Sequence, residues 1–195
     1  MSEHFIKDGT GDGYTAGVDA KNRVKVHATS ITHNEDAAEE GDAYNIHSGA
    51  ITLSAAGTLL YVKNNESRDL FVENLVVALG DATVSDDPEV MTYKTITAGD
   101  LLTDETAVAF KSNRNFGSAN ILTADTYAGK SAGTVTGEQI GLYYMEASSR
   151  LVATINKVLP RGASMAIAID PKLSSGTVKA YAVLVCHLRD SADSE

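Results

Sequence analysis

The sequence contains no tryptophan, four phenylalanines and a single cysteine, Cys186. One cysteine excludes an intramolecular disulfide, and its place inside an apolar run predicts a small buried hydrophobic side chain in a protein that folds in a reducing cytosol. The shortage of large aromatics predicts a core of aliphatic and β-branched side chains, as in the thin layers of a β-sandwich. It also argues against an extended platform for stacking sugars.

Basic residues are a minority: 16 Lys and Arg stand against 26 Asp and Glu, which gives a formal net charge of −10. Affinity for nucleic acids and for anionic membranes depends on Lys and Arg, so we expect neither as a partner. Apolar runs stay well below the roughly 20 residues of a membrane-spanning helix, and the first six residues lack the apolar stretch of a signal peptide. We therefore expect a soluble product of the cytosol.

Alternation of apolar and polar residues is the main pattern that is present, and it is clearest near the C-terminus. Met165, Ile167 and Ile169 recur at period two, while residues 180–186 are almost wholly apolar, as is typical of a strand covered on both faces. The segment between these runs contains proline and glycine and favours a turn. We predict that residues 161–170 and 177–188 form a long β-hairpin at the centre of a sheet.

Turn residues divide the rest of the chain into short segments. Residues 70–79 have some helical character, but their β-branched and aromatic content favours a strand. Residues 90–96 are predicted to be an edge strand, residues 30–42 an acidic loop and residues 110–119 a polar loop. About ten strands without a long amphipathic helix predict an all-β fold, a jelly-roll-like β-sandwich. Further strands are predicted at residues 23–28, 44–46, 50–53, 58–64, 139–145 and 150–159.

The pattern predicts three parts: an irregular glycine-rich N-terminal arm at residues 1–20, a single β-sandwich domain at residues 21–190, and a C-terminal tail at residues 191–195. Segments as rich in glycine as the arm are seldom ordered alone, so we expect a neighbouring subunit to hold it. Its anchors would be Phe5, Ile6 and Tyr14.

No constellation of residues points to catalysis. Asp8, Asp12 and Asp19 fall at positions one, five and twelve of a calcium loop, but position three is a threonine and no flanking helices are apparent. The five histidines do not share the spacing of zinc ligands, and the nucleophile-elbow, P-loop and dinucleotide motifs are missing. We therefore predict no metal, no cofactor and no enzymatic activity.

Several stretches together resemble the head decoration, or cement, proteins of tailed bacteriophages. They comprise turn glycines, alternating strands and one proline, so they are scaffold positions and not a functional signature. The resemblance covers most of the chain. The stretches are residues 18–26, 41–46, 51–53, 58–64, 70–72 and 158–164.

This resemblance implies a β-sandwich, often a homotrimer, made in the host bacterial cytoplasm and seated on the outer surface of the capsid. There it would clamp neighbouring major capsid protein subunits by non-covalent stapling. The family brings no catalytic residues. Arg114 and Phe116, which are interleaved in a polar loop, join the arm anchors as expected capsid or subunit contacts.

Two other functions stay open. One is a phage tail or fibre component, or a carbohydrate-binding β-sandwich module, that recognises host glycans through the loops at residues 113–116 and 127–137. The other is a hydrolase built on a β-sandwich, which would require a nucleophile, metal set or acid pair that the sequence does not display.

Overall fold

The computed structural model describes residues 33–99, 109–129 and 135–189, which belong to one compact unit. The predicted arm with Phe5, Ile6 and Tyr14 lies outside these residues. So do the predicted strand at residues 23–28 and the tail. The three domain boundaries and the arm anchors therefore stay predictions.

The described part contains one short helix and eleven strands, and every strand pairing within it is antiparallel. The elements are α1 His33–Glu40, β1 Ala43–His47, β2 Ile51–Leu53, β3 Gly57–Lys63, β4 Asp69–Leu79, β5 Glu89–Ala98, β6 Phe110–Asn113, β7 Asp125–Ala128, β8 Thr136–Tyr144, β9 Arg150–Leu159, β10 Ser164–Asp170 and β11 Val178–Arg189.

The strands form two sheets that together make a jelly-roll sandwich. Sheet 1 has the order β6-β1-β11-β4-β9, with β2 beside β11, and sheet 2 has the order β7-β3-β10-β5-β8. The eight principal strands of the sandwich have the jelly-roll order, β1-β11-β4-β9 in one layer and β3-β10-β5-β8 in the other. The predicted all-β, jelly-roll-like fold is confirmed.

The predicted C-terminal hairpin is wrong, although both of its strands are central. β10 lies in the middle of sheet 2 and β11 in the middle of sheet 1, so the two do not pair with each other. The segment between them crosses from one sheet to the other and is held by an antiparallel bridge from Leu173 to Val84. Proline and glycine mark a change of direction equally well for a hairpin and for a crossing, so the local sequence does not choose between them.

Three further expectations are corrected. The predicted acidic loop contains α1, because its Glu- and Ala-rich segment has high helix propensity and Glu35 and Asp36 suit the positive end of the helix dipole. β5 is an interior strand between β10 and β8, not an edge strand. The predicted polar loop opens with β6, whose half-polar sequence suits a short strand at the edge of sheet 1.

The core between the sheets is aliphatic, as predicted. Its largest fully buried side chains are leucines, isoleucines and one methionine, and Tyr44 is the aromatic side chain buried among them in the described residues. Cys186 is fully buried in β11, and burial raises the pKa of its thiol to about 12, opposed by the charge of Arg114. The thiol therefore stays protonated at neutral pH and acts as a small hydrophobic group, as predicted.

Candidate functional site

Residues 114–124, here called the corner loop, connect β6 at the edge of sheet 1 to β7 at the edge of sheet 2. The loop begins at Arg114, whose backbone N–H donates to the carbonyl of Ala43 at 2.9 Å. On its return, Leu122 is buried in the core and the N–H of Thr123 donates to the Glu66 carboxylate at 2.6 Å. Both limbs of the loop are thus fastened to the sandwich.

The C-terminus of α1 lies against this loop and ends in a Schellman motif. Gly41 has φ 81°, and its N–H donates to Ala38 at 3.3 Å while that of Asp42 donates to Ala37 at 2.7 Å. Glycine is required here twice over, because a Cβ atom would also lie 2.2 Å from Oγ of Ser118 in the corner loop. The close approach brings the last helical carbonyls within reach of the loop side chains.

Three asparagine side chains, here called the asparagine clamp, donate hydrogen bonds to carbonyl oxygens at this helix end. The bonds run from Asn113 Nδ2 to Gly41 O at 2.7 Å, from Asn115 Nδ2 to Glu39 O at 2.8 Å, and from Asn120 Nδ2 to Glu40 O at 3.4 Å. These carbonyls have no partner inside the helix, so the clamp satisfies groups that would otherwise rely on water.

The same asparagines also fold the loop itself. Asn113 Oδ1 accepts the N–H of Asn115 at 2.8 Å, and Asn115 Oδ1 accepts the N–H of Gly117 at 2.9 Å. Such local bonds are characteristic of asparagine turns. Each of these two amides therefore has one end in the loop and the other at the helix, which fixes the backbone on both sides of residue 116.

The corner loop presents two large apolar side chains to water. Phe116 is fully exposed, at 103% of its reference area, and Ile121 is 78% exposed. Arg114 is half-buried and near enough to Cys186 for its charge to lower the pKa of that thiol. Of the two predicted contact residues, Phe116 is thus displayed outward and Arg114 lies partly inside. Their role as contacts stays a prediction.

A second exposed surface lies on the outer face of sheet 1. Cross-strand pairing places five residues opposite one another in a single line across β6, β1, β11, β4 and β9: Phe110, His47, Val183, Val76 and Val152. We call this line the apolar row. Phe110 is 63% exposed and Val152 57% exposed at its two ends, and the ring of Phe110 stacks on His47 with centroids 5.1 Å apart. An antiparallel sheet with one solvated face usually carries polar residues there, so this row is unusual.

The neighbouring line on the same face contains four uncharged polar residues and one valine. It consists of Ser112, Asn45, Val185, Asn74 and Thr154, here called the amide row. On the other side of the apolar row, Tyr181 is 40% exposed and lies opposite Ala78. Tyr181 and His47 help to line a shallow depression of about 450 Å³ that also reaches the amide row.

The outer face of sheet 2 carries a different line, here called the tyrosine row: Tyr127, Tyr61, Ala166, Tyr93 and Gln139. Tyr61 and Tyr127 stack with centroids 5.8 Å apart, and Tyr61 is only 5% exposed. Ile96 and Val135 pack against the same cluster. Burial raises the pKa of Tyr61, opposed by its hydrogen bond with Ser164.

In the part of the chain that the structure describes, no group of three or more His, Cys, Asp or Glu side chains is arranged to hold a metal ion. Within the same residues, no helix has the length and apolar content needed to cross a membrane. The described sites thus consist of exposed apolar and neutral polar side chains. Sequence reasoning missed Ile121 and the ends of the apolar row, since alternation alone does not say which face of a strand meets the core.

No protein-family model matches the chain, and no curated protein matches it. Two solved capsid structures are similar to it at low scores. The T13 particle of infectious bursal disease virus matches at 13% identity and a TM-score of 0.21, over 92% of this chain and 44% of that one. The VP2 subviral particle of the same virus matches at 12% identity and a TM-score of 0.12, over 78% and 41%. This chain spans less than half the length of either, and likeness at these scores carries no argument about function.

Proposed function

We propose that this protein is a virion structural protein, a decoration protein that binds the outer surface of a tailed-phage capsid and staples neighbouring major capsid protein subunits without catalysis. The host bacterial cytoplasm would be its place of synthesis, and the virion its final location. The observation that carries the proposal is Phe116, a fully exposed aromatic ring on a loop held by the asparagine clamp.

An exposed aromatic on a fixed loop suits docking onto protein for two reasons. Aromatic side chains dominate the binding energy of many interfaces, because they bury a large apolar area in a pocket of the partner. A loop that is already ordered loses little conformational entropy on binding. The net charge of −10 favours solubility at the high concentration that an abundant virion component reaches before assembly.

The test is co-sedimentation of the purified protein with capsids that lack it. We expect wild-type protein to bind, and Phe116→Ser to weaken binding about 30-fold, the equivalent of roughly 2 kcal/mol for an interface hot spot. The matched control is Tyr144→Ser, which removes another exposed aromatic, 62% exposed in β8. Wild-type protein that fails to bind capsids would refute the decoration role, whereas unchanged binding by Phe116→Ser would refute only the corner loop.

A glycan-binding tail or fibre module is the second candidate. The observation that favours it is the shallow depression on sheet 1, which combines the ring of Tyr181 with the polar side chains of Asn45 and Ser112. A glycan array separates the two functions, because a decoration protein is expected to give no specific signal.

A further inference from the structure

The apolar row combines exposure with the absence of charge. It and the amide row together hold ten residues, and none of them is Asp, Glu, Lys or Arg. In the line that contains Tyr181 and Ala78, the residue of β9 opposite Ala78 is Arg150, the first residue of that strand. In a chain of net charge −10, these two rows can therefore meet the same rows of a second copy without bringing carboxylates of their own together.

The two rows are also self-complementary. Apolar side chains pack against apolar side chains, and an amide can both donate and accept a hydrogen bond. The hydroxyls of Ser112 and Thr154 donate within the chain, to Asn45 O at 3.4 Å and to Asn74 Oδ1 at 3.0 Å, and can still accept. A charged surface is not complementary to itself, since like charges repel. A face of neutral donor–acceptor groups beside apolar ones therefore suits contact with a second copy of itself, the isologous contact of a two-fold dimer.

The sheet edges within the described part are poorly suited to the alternative, association by strand addition. The outermost strands β6 and β7 have only four residues each. On the opposite side, β8 is bulged where Thr92 and Tyr93 change register, and β9 is bulged near Asn156, whose φ is 43°. Short and bulged strands discourage edge-to-edge pairing.

The described rows are large enough for the centre of a contact, about a third of what one partner buries in a standard interface. Five strands spaced about 4.8 Å apart span roughly 19 Å, and the rows from Tyr181 to Val185 cover roughly 14 Å along the strands. Side chains around this centre would extend the contact toward the roughly 800 Å² per partner that a standard interface buries. Phe110 and Val152, at opposite ends of the apolar row, would lie at or near the contact.

We propose that a second copy of this chain covers the outer face of sheet 1, with the apolar rows of the two copies packed against each other about a two-fold axis. This inference does not depend on the capsid role. An isologous contact yields even-numbered assemblies: a dimer, or a hexamer if a separate trimeric contact of the kind the resemblance implies also exists.

Light scattering after size exclusion tests the proposal. We expect a mass that is two or six times 20.5 kDa and that persists in roughly 1 M salt, since the contact contains few charges to be screened. A mass of one or three subunits, or dissociation by salt, would overturn it.

Variants then locate the contact. Val152→Glu and Phe110→Ser change residues that are already exposed in the single chain, so both should fold, and we expect each to raise the dissociation constant at least tenfold. Tyr144→Ser, which changes an exposed aromatic residue of sheet 2, is the matched control and should leave the mass unchanged. An even-numbered assembly that neither Val152→Glu nor Phe110→Ser weakens, while circular dichroism shows both folded, would place the contact elsewhere and contradict the proposal.

Discussion

The outer faces of the two sheets differ in how far side chains of the same chain cover them. The tyrosine row of sheet 2 is covered within the single chain, because the rings of Tyr61 and Tyr127 stack and Tyr61 is only 5% exposed. The apolar row of sheet 1 ends in Phe110 and Val152, which are more than half exposed. The same five-strand alternation thus gives one face that is complete in a single chain and one that a partner would complete.

An outward-facing residue of a sandwich can therefore pack within its own chain or be available to a partner, and its neighbours decide this more than its own hydrophobicity does. Tyr61 lies opposite Ala166, and the side chains of Tyr93 and Tyr127 pack against this pair. Val183 lies between His47 and Val76, and neither is large enough to cover it in the same way.

The largest effect should separate the inner and outer faces of one strand. Leu184 is fully buried and Val183, its neighbour in β11, lies in the apolar row. We expect Leu184→Ala to lower the free energy of unfolding by about 2–5 kcal/mol through cavity formation, and Val183→Thr by less than about 1 kcal/mol. Urea denaturation at one fixed protein concentration measures both. Equal losses would mean that the outer face of sheet 1 is packed as tightly as the core.

The next effect compares the two rows directly. We expect Tyr61→Ala to cost about 3 kcal/mol, the lower end of the range for a buried aromatic, while Phe110→Ala costs less than about 1 kcal/mol. Thermal or urea unfolding of the two variants gives the values, at a protein concentration low enough that the chains do not associate. If the order were reversed, the closed and open faces would have been assigned the wrong way round.

A smaller effect concerns the corner loop. Asn113→Ala removes the bond to the Gly41 carbonyl and the bond that folds the loop at Asn115, so we expect a loss of about 1–2 kcal/mol. Hydrogen exchange should become faster at residues 114–120. Asn65→Ala, at an exposed turn position, is the control and should change neither quantity.

The smallest effect lies beside sheet 2, where Lys172 bridges Asp170 at 2.9 Å and Glu89 at 3.0 Å. Burial alone would raise the pKa of Asp170, but the hydrogen bonds and charge of Lys172 outweigh it and lower the pKa below 3.8. A carboxyl whose pKa is lowered on folding adds stability above its unfolded value, and that stability disappears as the pH falls through the folded value.

In the wild type, Asp170 Oδ1 accepts a hydrogen bond from the backbone N–H of Lys172 at 3.0 Å. Asp170→Asn keeps an oxygen that can accept this bond and removes the negative charge. We expect the variant to have a slightly lower melting temperature than wild type at pH 7. The gap should narrow below about pH 4, where wild type also loses the charge. A gap that stays constant from pH 7 to pH 3 would contradict a role for this ion pair.

Sequence reasoning reached the all-β sandwich and the central position of β10 and β11, because alternation and continuous apolar runs report burial directly. It could not pair these two strands correctly. Residues 171–177 contain turn-forming residues that suit a hairpin and a crossing between sheets alike. The two strands that pair with β10, which are β3 and β5, lie far from it in the sequence.

For the corner loop, too, the sequence predicted one part of the structure and not another. The asparagines of residues 113–120 signal turns, so a loop was predictable. The hydrogen bonds from their amides to the end of α1 were not predictable, because the acidic segment that forms this helix was itself predicted to be a loop. Phe116 was singled out for its type and context, and only the fold shows its ring to be fully exposed.

The asparagine clamp also makes the fixed position of Phe116 depend on distant parts of the chain. Asn115 and Glu39 are separated by 76 residues, so in the native structure their bond requires both the pairing of β1 with β6 and the turn at Gly41 after α1. A chain still on its way to the native state would carry Phe116 on a loose loop, with a large entropy loss on contact. Display of this ring therefore marks the finished molecule, and a surface that needs it fixed would select complete subunits over partly folded ones.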